Sequence, residues 1–376
     1  MILAITALCA GGLLEVDRVA GPYFEVQDAI DAAASGDIIR VAAGDYQGFV
    51  IDSKSLMVVA ADSNAPPHVL GTAEIVDLQA SETVTLSGLI CDDLQGTSIV
   101  TISDCAGSVR LQDMLVGINF GSRALNIIDC DDVSLHKCGL RNGGAWPSLT
   151  CRSSNLTLFS SRIRGGSSPR DWEGAAGLQL IDSSAIAMDC ALIGGQGGPQ
   201  FGGGLVTCLS FAMDGGPGVQ IDGSVFEQLG GYAQGGPGGI GFWDCGGPGN
   251  PGPGFETRNG GLFLPLDGTA PTLNCPQWVQ LGDTFVVDVR GEPADPALLL
   301  FGIDAGRTTL PGATGALLLG GPASRLRRLG ISSSTATVPI TVPLSPFFFG
   351  EAWRFQSAHV RNGALLFGPV RTVAVL

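Results

Sequence analysis

Residues 100–111 read VTISDCAGSVRL, and residues 125–135 repeat the pattern as LNIIDCDDVSL. Each stretch holds two short runs in which aliphatic residues alternate, as they do along a β-strand. The second run recurs at intervals of 25, 24, 23 and 30 residues, at Val84, Val109, Val133, Leu156 and Ile186. The first run recurs at intervals of 25, 24 and 29 residues, at Val100, Leu125, Leu149 and Leu178. Two strands in a repeat of about 24 residues predict a solenoid whose coils stack side by side.

Small and sulfur-containing residues recur at matching places between these strands. Cys105 and Cys130 share one position of the repeat, and Cys138 and Cys190 share another, with Cys190 one place early. Because equivalent residues of neighbouring coils stack about 4.8 Å apart, these columns predict a narrow packed interior. Most of the ten cysteines are then expected to be buried thiols. A Cys105–Cys130 bridge is the alternative that stacked geometry permits.

Charge and hydropathy exclude two classes of partner. The net charge of −15 reflects scarce lysine, with only Lys54 and Lys137, as much as abundant acid. No basic stripe is available to neutralise phosphates, which argues against nucleic acid. Apart from the first residues, no apolar run approaches the length of a membrane span.

The beginning of the chain has two interpretations. Residues 1–12 start with an apolar run and end in small residues, as a secretion signal does, although the run is short and has no basic leader. The alternative is that residues 2–8 form the first strand of the fold.

The segment 26–46, VQDAIDAAASGDIIRVAAGDY, begins with a short amphipathic helix pattern, in which Val26, Ile30 and Ala33 share one face. It resembles the N-terminal entry of right-handed parallel β-helix proteins of the pectin-lyase-like superfamily. The resemblance is specific over residues 13–60 and continues as periodicity to about residue 245. It implies an all-β protein with a right-handed parallel β-helix over 13–245. The helix would cover the open end of the coil, where a strand edge is otherwise unpaired.

The remainder of the chain divides at a glycine-rich and proline-rich stretch. The insertions at 194–204, 215–218 and 230–254 are too rich in glycine to form strands and are expected to be loops, and 246–266 is expected to be a linker. Alternating strands between turns over 267–376 predict a small antiparallel β-sandwich. This part resembles a C-terminal β-domain of secreted proteins from environmental bacteria, on its LGDTFVVDV (281–289) and FQSAHV (355–360). That resemblance implies a secreted or cell-surface bacterial protein.

Three insertions, at 143–148, 165–177 and 194–204, follow the same strand in successive repeats and should emerge on one side of the solenoid. Arg141 and Arg164 are expected to stack just before this rim. Guanidinium groups pair with carboxylates or sulfates, and indole rings offer a plane for a sugar. The predicted carbohydrate-binding residues are Arg141, Trp146, Arg164, Arg170, Asp171 and Trp172. The alternative is that the tryptophans pack back on the coil and the arginines are merely solvated.

An acidic column is formed by Asp104, Asp129 and Asp182, which occupy one position of the repeat. Aspartate is common in turns because its side chain bonds the local backbone, so these are expected to be turn residues. The alternative is a Ca²⁺ site at these three carboxylates. The sequence indicates no other cofactor.

Enzymes of the superfamily that the chain resembles use Ca²⁺-binding aspartates with an arginine or lysine base, or clustered aspartates. The weak catalytic candidates that this implies are Asp131, Asp132, Arg164 and Asp171. Arg162-Ile163-Arg164 resembles the Arg-Ile-Lys of pectin hydrolases, but their Asn-Thr-Asp and Gly-His-Gly motifs are absent.

Three functions are therefore open. The first is a non-catalytic module that binds extracellular polysaccharide or another cell-surface component, and the second is a lyase or glycoside hydrolase acting on an acidic polysaccharide. The third is a structural spacer without a ligand. The binding hypothesis requires exposed tryptophans beside the arginines, whereas the spacer hypothesis requires buried ones.

Overall fold

The computed structural model describes residues 11–92, 98–117, 123–169, 172–199, 202–203, 207–208, 212–241, 247–292, 295–319, 324–330 and 335–376. Nearly all of the expected signal segment therefore lies outside the described residues. No helix in the described ranges is long and apolar enough to cross a membrane.

The N-terminal two thirds of the chain form a parallel β-helix with three faces, which we name A, B and C in the order in which the chain visits them. Face A contains Leu13–Val16, Ile38–Val41, Leu56–Ala60, Thr83–Ser87, the C-terminal parts of Ser98–Gln112 and Arg123–His136, and Asn155–Phe159, Ser184–Met188, Val225–Leu229 and Leu262–Leu266. Face B contains the N-terminal parts of Asp45–Asp52 and His68–Val76, then Ile90–Asp92, Leu115–Val116, Gly139–Arg141, Arg162–Arg164, Ala191–Ile193 and Tyr232–Gln234. Face C contains the C-terminal parts of Asp45–Asp52 and His68–Val76, the N-terminal parts of Ser98–Gln112 and Arg123–His136, and Leu149–Arg152, Leu178–Ile181, Val219–Asp222 and Phe255–Arg258.

The register between coils confirms the predicted solenoid and corrects one position. On face C, Leu125 pairs with Val100 on one side and with Leu149 on the other, as the repeat predicts. On face A, Leu156 pairs with Ala185 and not with Ile186. The predicted interval of 30 residues from Leu156 to Ile186 is therefore one residue too long, and the Ile186 side chain points away from the interior of the coil.

The interior of the β-helix is a column of aliphatic side chains and thiols. Cys105 and Cys130 are register partners and are buried, and both thiols are free. Burial raises the pKa of the Cys138 and Cys190 thiols to about 12. These cysteines are therefore unreactive core residues, which fill the space that a small apolar side chain would fill.

The predicted capping helix spans Val26–Ala32 and buries Val26, Ala29 and Ile30 against the end of the coil. Its Gln27 side chain accepts a 2.7 Å hydrogen bond from Val50 N and donates one of 3.3 Å to Val50 O. The amide group of Gln27 thus stands in for a strand residue beside Asp45–Asp52. Lys54 Nζ donates to the carbonyl oxygens of Ile30 and Ala33 at 2.8 Å, which satisfies the C-terminal end of the helix.

The C-terminal region forms two packed sheets, which are antiparallel except where Trp278–Val279 pairs in parallel with Ala364–Val375. One sheet contains Thr272–Asn274, Thr284–Arg290 and Thr335–Thr341. The other contains Trp278–Val279, Ala364–Val375, Ala352–Arg361, Pro296–Gly302 and Ser324–Gly330. The sandwich also contains a hairpin of Ala305–Thr308 with Leu317–Leu319 and a 3-10 turn at Pro346–Phe348. A separate short hairpin in the N-terminal part of the chain pairs Gly202–Gly203 with Thr207–Cys208.

The sandwich lies against the outer side of face A. At one end Met57 and Val59 pack with Ala374 and Leu376. At the other end Ile186 joins a cluster formed by both domains. The cluster includes Phe159 and Met188 of face A, and Leu318, Leu366 and Val370 of the sandwich. Face A is therefore covered on its outer side by the sandwich at both of these contacts.

The segment predicted as a linker contains two more strands of the β-helix. Phe255–Arg258 pairs with Val219–Asp222 on face C, and Leu262–Leu266 pairs with Val225–Leu229 on face A. The β-helix thus extends to Leu266, because Phe255 and Phe263 stack on each other and on Phe226 and so close the apolar interior.

The glycine-rich insertions pack into one body, which we name the glycine bundle and which comprises residues 165–169, 172–177, 194–198, 213–218, 235–239 and 249–254. Backbone hydrogen bonds link these segments, among them Gly195 N to Ala175 O, Gly216 N to Gly195 O, Gly236 N to Gly216 O and Gly252 N to Gly236 O, at 2.8–2.9 Å. These segments lack strand pairing, as expected of loops, and they pack backbone against backbone.

At the closest backbone approaches inside the glycine bundle only glycine fits. A Cβ added to Gly195 would lie 1.8 Å from Gly166 O, and one added to Gly236 would lie 1.9 Å from Gly195 O. The arrangement resembles packed polyproline II chains, in which a side chain would force neighbouring backbones apart. The high glycine content of this region is therefore a packing requirement.

We expect Gly195→Ala to lower the free energy of unfolding by about 1–3 kcal/mol, because the added methyl group overpacks the bundle. Gly247→Ala is the matched control, since its added methyl group would meet nothing within 4 Å. Urea denaturation followed by circular dichroism measures both. Equal stability of the two variants would contradict a packed bundle.

The burial of His359 predicts that the sandwich is sensitive to acid. The side chain is fully buried, and neither ring nitrogen has a hydrogen-bond partner in the described protein. Burial, opposed by Asp295 and reinforced by Arg361, lowers the pKa of His359 from 6.5 to about 4. The unfolded chain takes up a proton near its ordinary pKa whereas the folded chain does not, so stability is full above pH about 6.5 and is lost as the pH falls towards 4.

His359→Leu should remove this acid sensitivity, on the order of 3 kcal/mol between pH 7 and pH 4, without a large cost at pH 7. The measurement is the free energy of unfolding of both proteins across that range. An unchanged pH dependence in the variant would show that His359 is not the titrating group.

Candidate functional site

Face B carries an exposed groove lined by positive charge. In its strands Leu140 and Ile163 point into the core, so the alternating neighbours Arg141, Arg162 and Arg164 point outward. Arg141 is the register partner of Arg164, as the repeat predicted. The backbones of these two residues therefore lie about 4.8 Å apart. Arg162 lies two residues before Arg164 on the same strand.

These arginines lie in an open cavity of about 440 Å³, which we name the arginine groove. Its lining is Leu115, Val116, Gly117, Lys137, Cys138, Gly139, Leu140, Arg141, Ser160, Arg162 and Arg164. Lys137 is held towards the sandwich by a 2.7 Å hydrogen bond from Nζ to Asn274 Oδ1. Burial and the nearby Arg371 lower the pKa of Lys137, with Asp113 opposing.

The three arginines of the groove have no carboxylate partner among the described residues. Elsewhere in the described chain several arginines are paired: Arg18 with Glu25, Arg40 with Glu15, Arg258 with Glu256 and Arg361 with Asp295. In a chain of net charge −15 this uncompensated cluster stands out. A set of like charges in one groove attracts anions and raises their local concentration.

The tryptophans of the predicted rim are exposed. The Trp146 side chain is 46% exposed, and the Arg123 guanidinium carbon lies 4.9 Å from its ring centroid. The loop is held by Asn142, whose Nδ2 donates to Trp146 O and whose Oδ1 accepts from Gly144 N, both at 2.7 Å. The rim indoles therefore do not pack back on the coil in the way the spacer hypothesis requires.

Trp172 is 64% exposed, and its carbonyl oxygen accepts a 3.0 Å hydrogen bond from Gly198 N of the glycine bundle. The bundle thus fixes the backbone from which this indole projects. The other two predicted residues of this loop, Arg170 and Asp171, lie outside the described residues.

The acidic column consists of turn residues. Asp104, Asp129 and Asp182 have φ of 57°, 52° and 48°, the left-handed conformation that aspartate tolerates in tight turns. Ser53, Asp77 and Ser153 have the same conformation at the equivalent turn of other coils. Within the described residues, no group of three or more histidine, cysteine, aspartate or glutamate side chains could hold a metal ion.

The candidate catalytic pair lies on the outer side of face A, away from the groove. Asp132 is buried and forms an ion pair with the buried Arg110, and Ser108 Oγ donates to it at 2.7 Å. Burial alone would raise the pKa of Asp132, but Arg110, Ser108 and Arg307 of the sandwich lower it. Asp131 is exposed, and both aspartates line a cavity of about 490 Å³ beside Arg307 of the sandwich, in which the Asp132 carboxylate is already engaged by Arg110.

Sequence reasoning missed Arg162 and Lys137 as members of the groove, and Arg110 and Arg307 as partners of Asp132. The alternation of Arg162, Ile163 and Arg164 already implied that both arginines share one side of a strand. No sequence pattern identifies Arg307 as a partner, because it comes from the other domain.

Comparisons with known proteins support no activity. No family model matches the chain, and no curated protein matches it. The chain is similar to the solved structure of pectin methylesterase PemA from Erwinia chrysanthemi, at 9% identity over 60% of this chain and 82% of that one, with a TM-score of 0.29. It is also similar to a superoxide reductase (neelaredoxin) from Ignicoccus hospitalis, at 13% identity over 28% and 80% of the two chains, with a TM-score of 0.20. The fold assignment rests on the strand pairing described above.

Asp132→Asn should destabilise the folded protein by about 3–5 kcal/mol, because it leaves the Arg110 guanidinium buried without its counter-charge. Asp131→Asn is the matched control and should change the free energy of unfolding by less than about 0.5 kcal/mol. Denaturant unfolding of the two variants checks this. Equal, small effects would show that Asp132 is not a structural ion-pair partner.

Proposed function

We propose that this protein is a non-catalytic module that binds an acidic polysaccharide along face B, with the polymer's anionic groups in the arginine groove. The observation that carries this proposal is the set of three exposed, unpaired arginines on two adjacent strands. Guanidinium groups bind carboxylates and sulfates through paired, charge-assisted hydrogen bonds.

The shape of the site favours a polymer. The groove is an open channel across neighbouring coils of the β-helix, so a chain can lie along it and repeat its contacts from coil to coil. The exposed Trp146 and Trp172 supply flat apolar surfaces of the kind that sugar rings stack against. Such polymers occur outside the cell, and a secreted or cell-surface location is part of the proposal.

The chemistry of the groove favours binding over turnover. A glycoside hydrolase of the usual kind needs two carboxyl groups at a defined separation, and the described lining of the groove offers none. A lyase that uses Ca²⁺ needs carboxylate ligands for the ion, which the same lining lacks. The described lining of the groove, with three arginines and a lysine, is suited to holding a polyanion.

The test is binding to immobilised polygalacturonate and hyaluronan by biolayer interferometry at low salt. Arg162→Gln combined with Arg164→Gln should weaken binding about tenfold or more, because two charge-assisted contacts are lost. Arg152→Gln is the matched control, since Arg152 is also exposed but lies on face C. Neutral dextran should not bind.

Two outcomes would overturn the proposal. One is an equal loss in the Arg152 control, which would indicate general charge attraction to an arginine-bearing surface. The other is binding of inorganic polyphosphate that matches the polysaccharides and is unaffected by Trp146→Ala, which would indicate an anion site without sugar recognition.

A further inference from the structure

A larger cavity, of about 840 Å³, lies between the β-helix and the sandwich. We name it the interdomain cavity. Its lining is Ala61, Asp62, Ser63, Pro66, Gly88, Leu89, Ile90, Asp113, Leu115, Cys275, Pro276, Gln277, Trp278 and Arg371. This volume is within the range of about 300–1,000 Å³ that small-molecule sites usually have.

The interdomain cavity and the arginine groove are neighbours. Leu115 lines both and is 51% exposed, so it forms the low wall between them. Lys137 of the groove hydrogen bonds to Asn274, which directly precedes Cys275 of the cavity. A chain lying in the groove can therefore continue across Leu115 into the cavity.

The two spaces differ in charge. In the interdomain cavity the Arg371 guanidinium is paired with the Asp113 carboxylate at 2.6 Å, so its charge is compensated. Arg371 Nη1 also lies 2.9 Å from His136 Nδ1. Burial lowers the pKa of His136 and so keeps the ring neutral, and the charges of Arg371 and Lys137 act in the same direction. The cavity thus lacks the excess positive charge of the groove and suits an uncharged group.

The cavity carries the polar and apolar groups that sugars bind. Gln277 Oε1 and Arg371 Nε are buried and have no hydrogen-bond partner in the described protein. Together with the Asp62 carboxylate they offer donors and acceptors for neighbouring hydroxyl groups. Trp278 and Leu115 supply apolar surface for the C–H face of a ring.

We propose that the interdomain cavity binds a neutral sugar residue of the same polysaccharide whose acidic residues lie in the arginine groove. The ligand class is then a polymer in which uronates and neutral sugars both occur, and not a uniform polyuronate. This inference rests on the proposed function, because the groove positions the polymer that enters the cavity.

Isothermal titration calorimetry tests this with oligosaccharides of equal charge. The probes are the hexasaccharides of hyaluronan and of unsulfated chondroitin, in which three uronates alternate with three neutral sugars, and trigalacturonate, which has three uronates alone. At least one hexasaccharide should bind about fivefold or more tighter than trigalacturonate, the equivalent of one net hydrogen bond.

Two cavity variants locate the difference. Gln277→Met removes the buried acceptor, and Ser63→Trp adds bulk at an exposed position of the cavity lining and so keeps the test valid if the first variant is unstable. Each should reduce the affinity for that hexasaccharide about fivefold and leave trigalacturonate binding unchanged.

The outcomes separate this inference from the proposed function. If both cavity variants bind every probe as the wild type does, while the Arg162→Gln and Arg164→Gln double variant binds all of them more weakly, the cavity inference is overturned and the groove stands. If the double variant binds every probe as the wild type does, the proposed function fails, and the cavity inference fails with it.

Discussion

The parallel in-register stacking of coils is the constraint on which the rest of this structure depends. Each residue lies about 4.8 Å from its equivalent in the next coil, so any side chain that recurs becomes a column. Aliphatic residues and thiols form the interior column, and left-handed aspartates and serines form the turn column. The pair Arg141 and Arg164 is the same effect on the surface, since the register that aligns Leu140 with Ile163 also aligns the arginines.

Insertions follow the same rule at a larger scale. Because they leave the coil at one position in successive turns, they emerge beside each other and must pack or diverge. Glycine allows them to pack, since backbone hydrogen bonds such as Gly216 N to Gly195 O need the backbones closer than any Cβ permits. The resulting bundle holds the backbone of the Trp172 loop. The glycine-rich composition, which is typical of a linker, therefore supports the rim of the candidate site.

The sequence contains enough information to predict what depends on periodicity. The strand ladders and the stacking of Arg141 on Arg164 follow from repeat spacing and alternation, and the capping helix follows from its amphipathic pattern together with the family resemblance. The docking of the sandwich could not be predicted, because its contacts are single residues with no period. Repeat spacing places Ile186 in the interior column, whereas its side chain packs against the other domain. Asp132 is a catalytic candidate through the resemblance to enzymes with clustered aspartates, and its buried partners Arg110 and Arg307 are distant from it in sequence. The interdomain cavity, which needs both domains, was likewise beyond prediction.

The distribution of positive charge argues that face B has a binding role. The buried Arg110 and Arg371 each have a carboxylate partner, because an unpaired buried charge is costly. On face B the described structure does the opposite. It aligns like charges on adjacent strands, which opposes sheet pairing, although acidic residues are abundant elsewhere in the chain. Folding alone gives no reason for Arg141 to stand beside Arg164 with Arg162 on the same strand. The proposed anionic ligand would give one, since on binding it would supply the missing counter-charge and convert the repulsion between the arginines into shared attraction for one polymer.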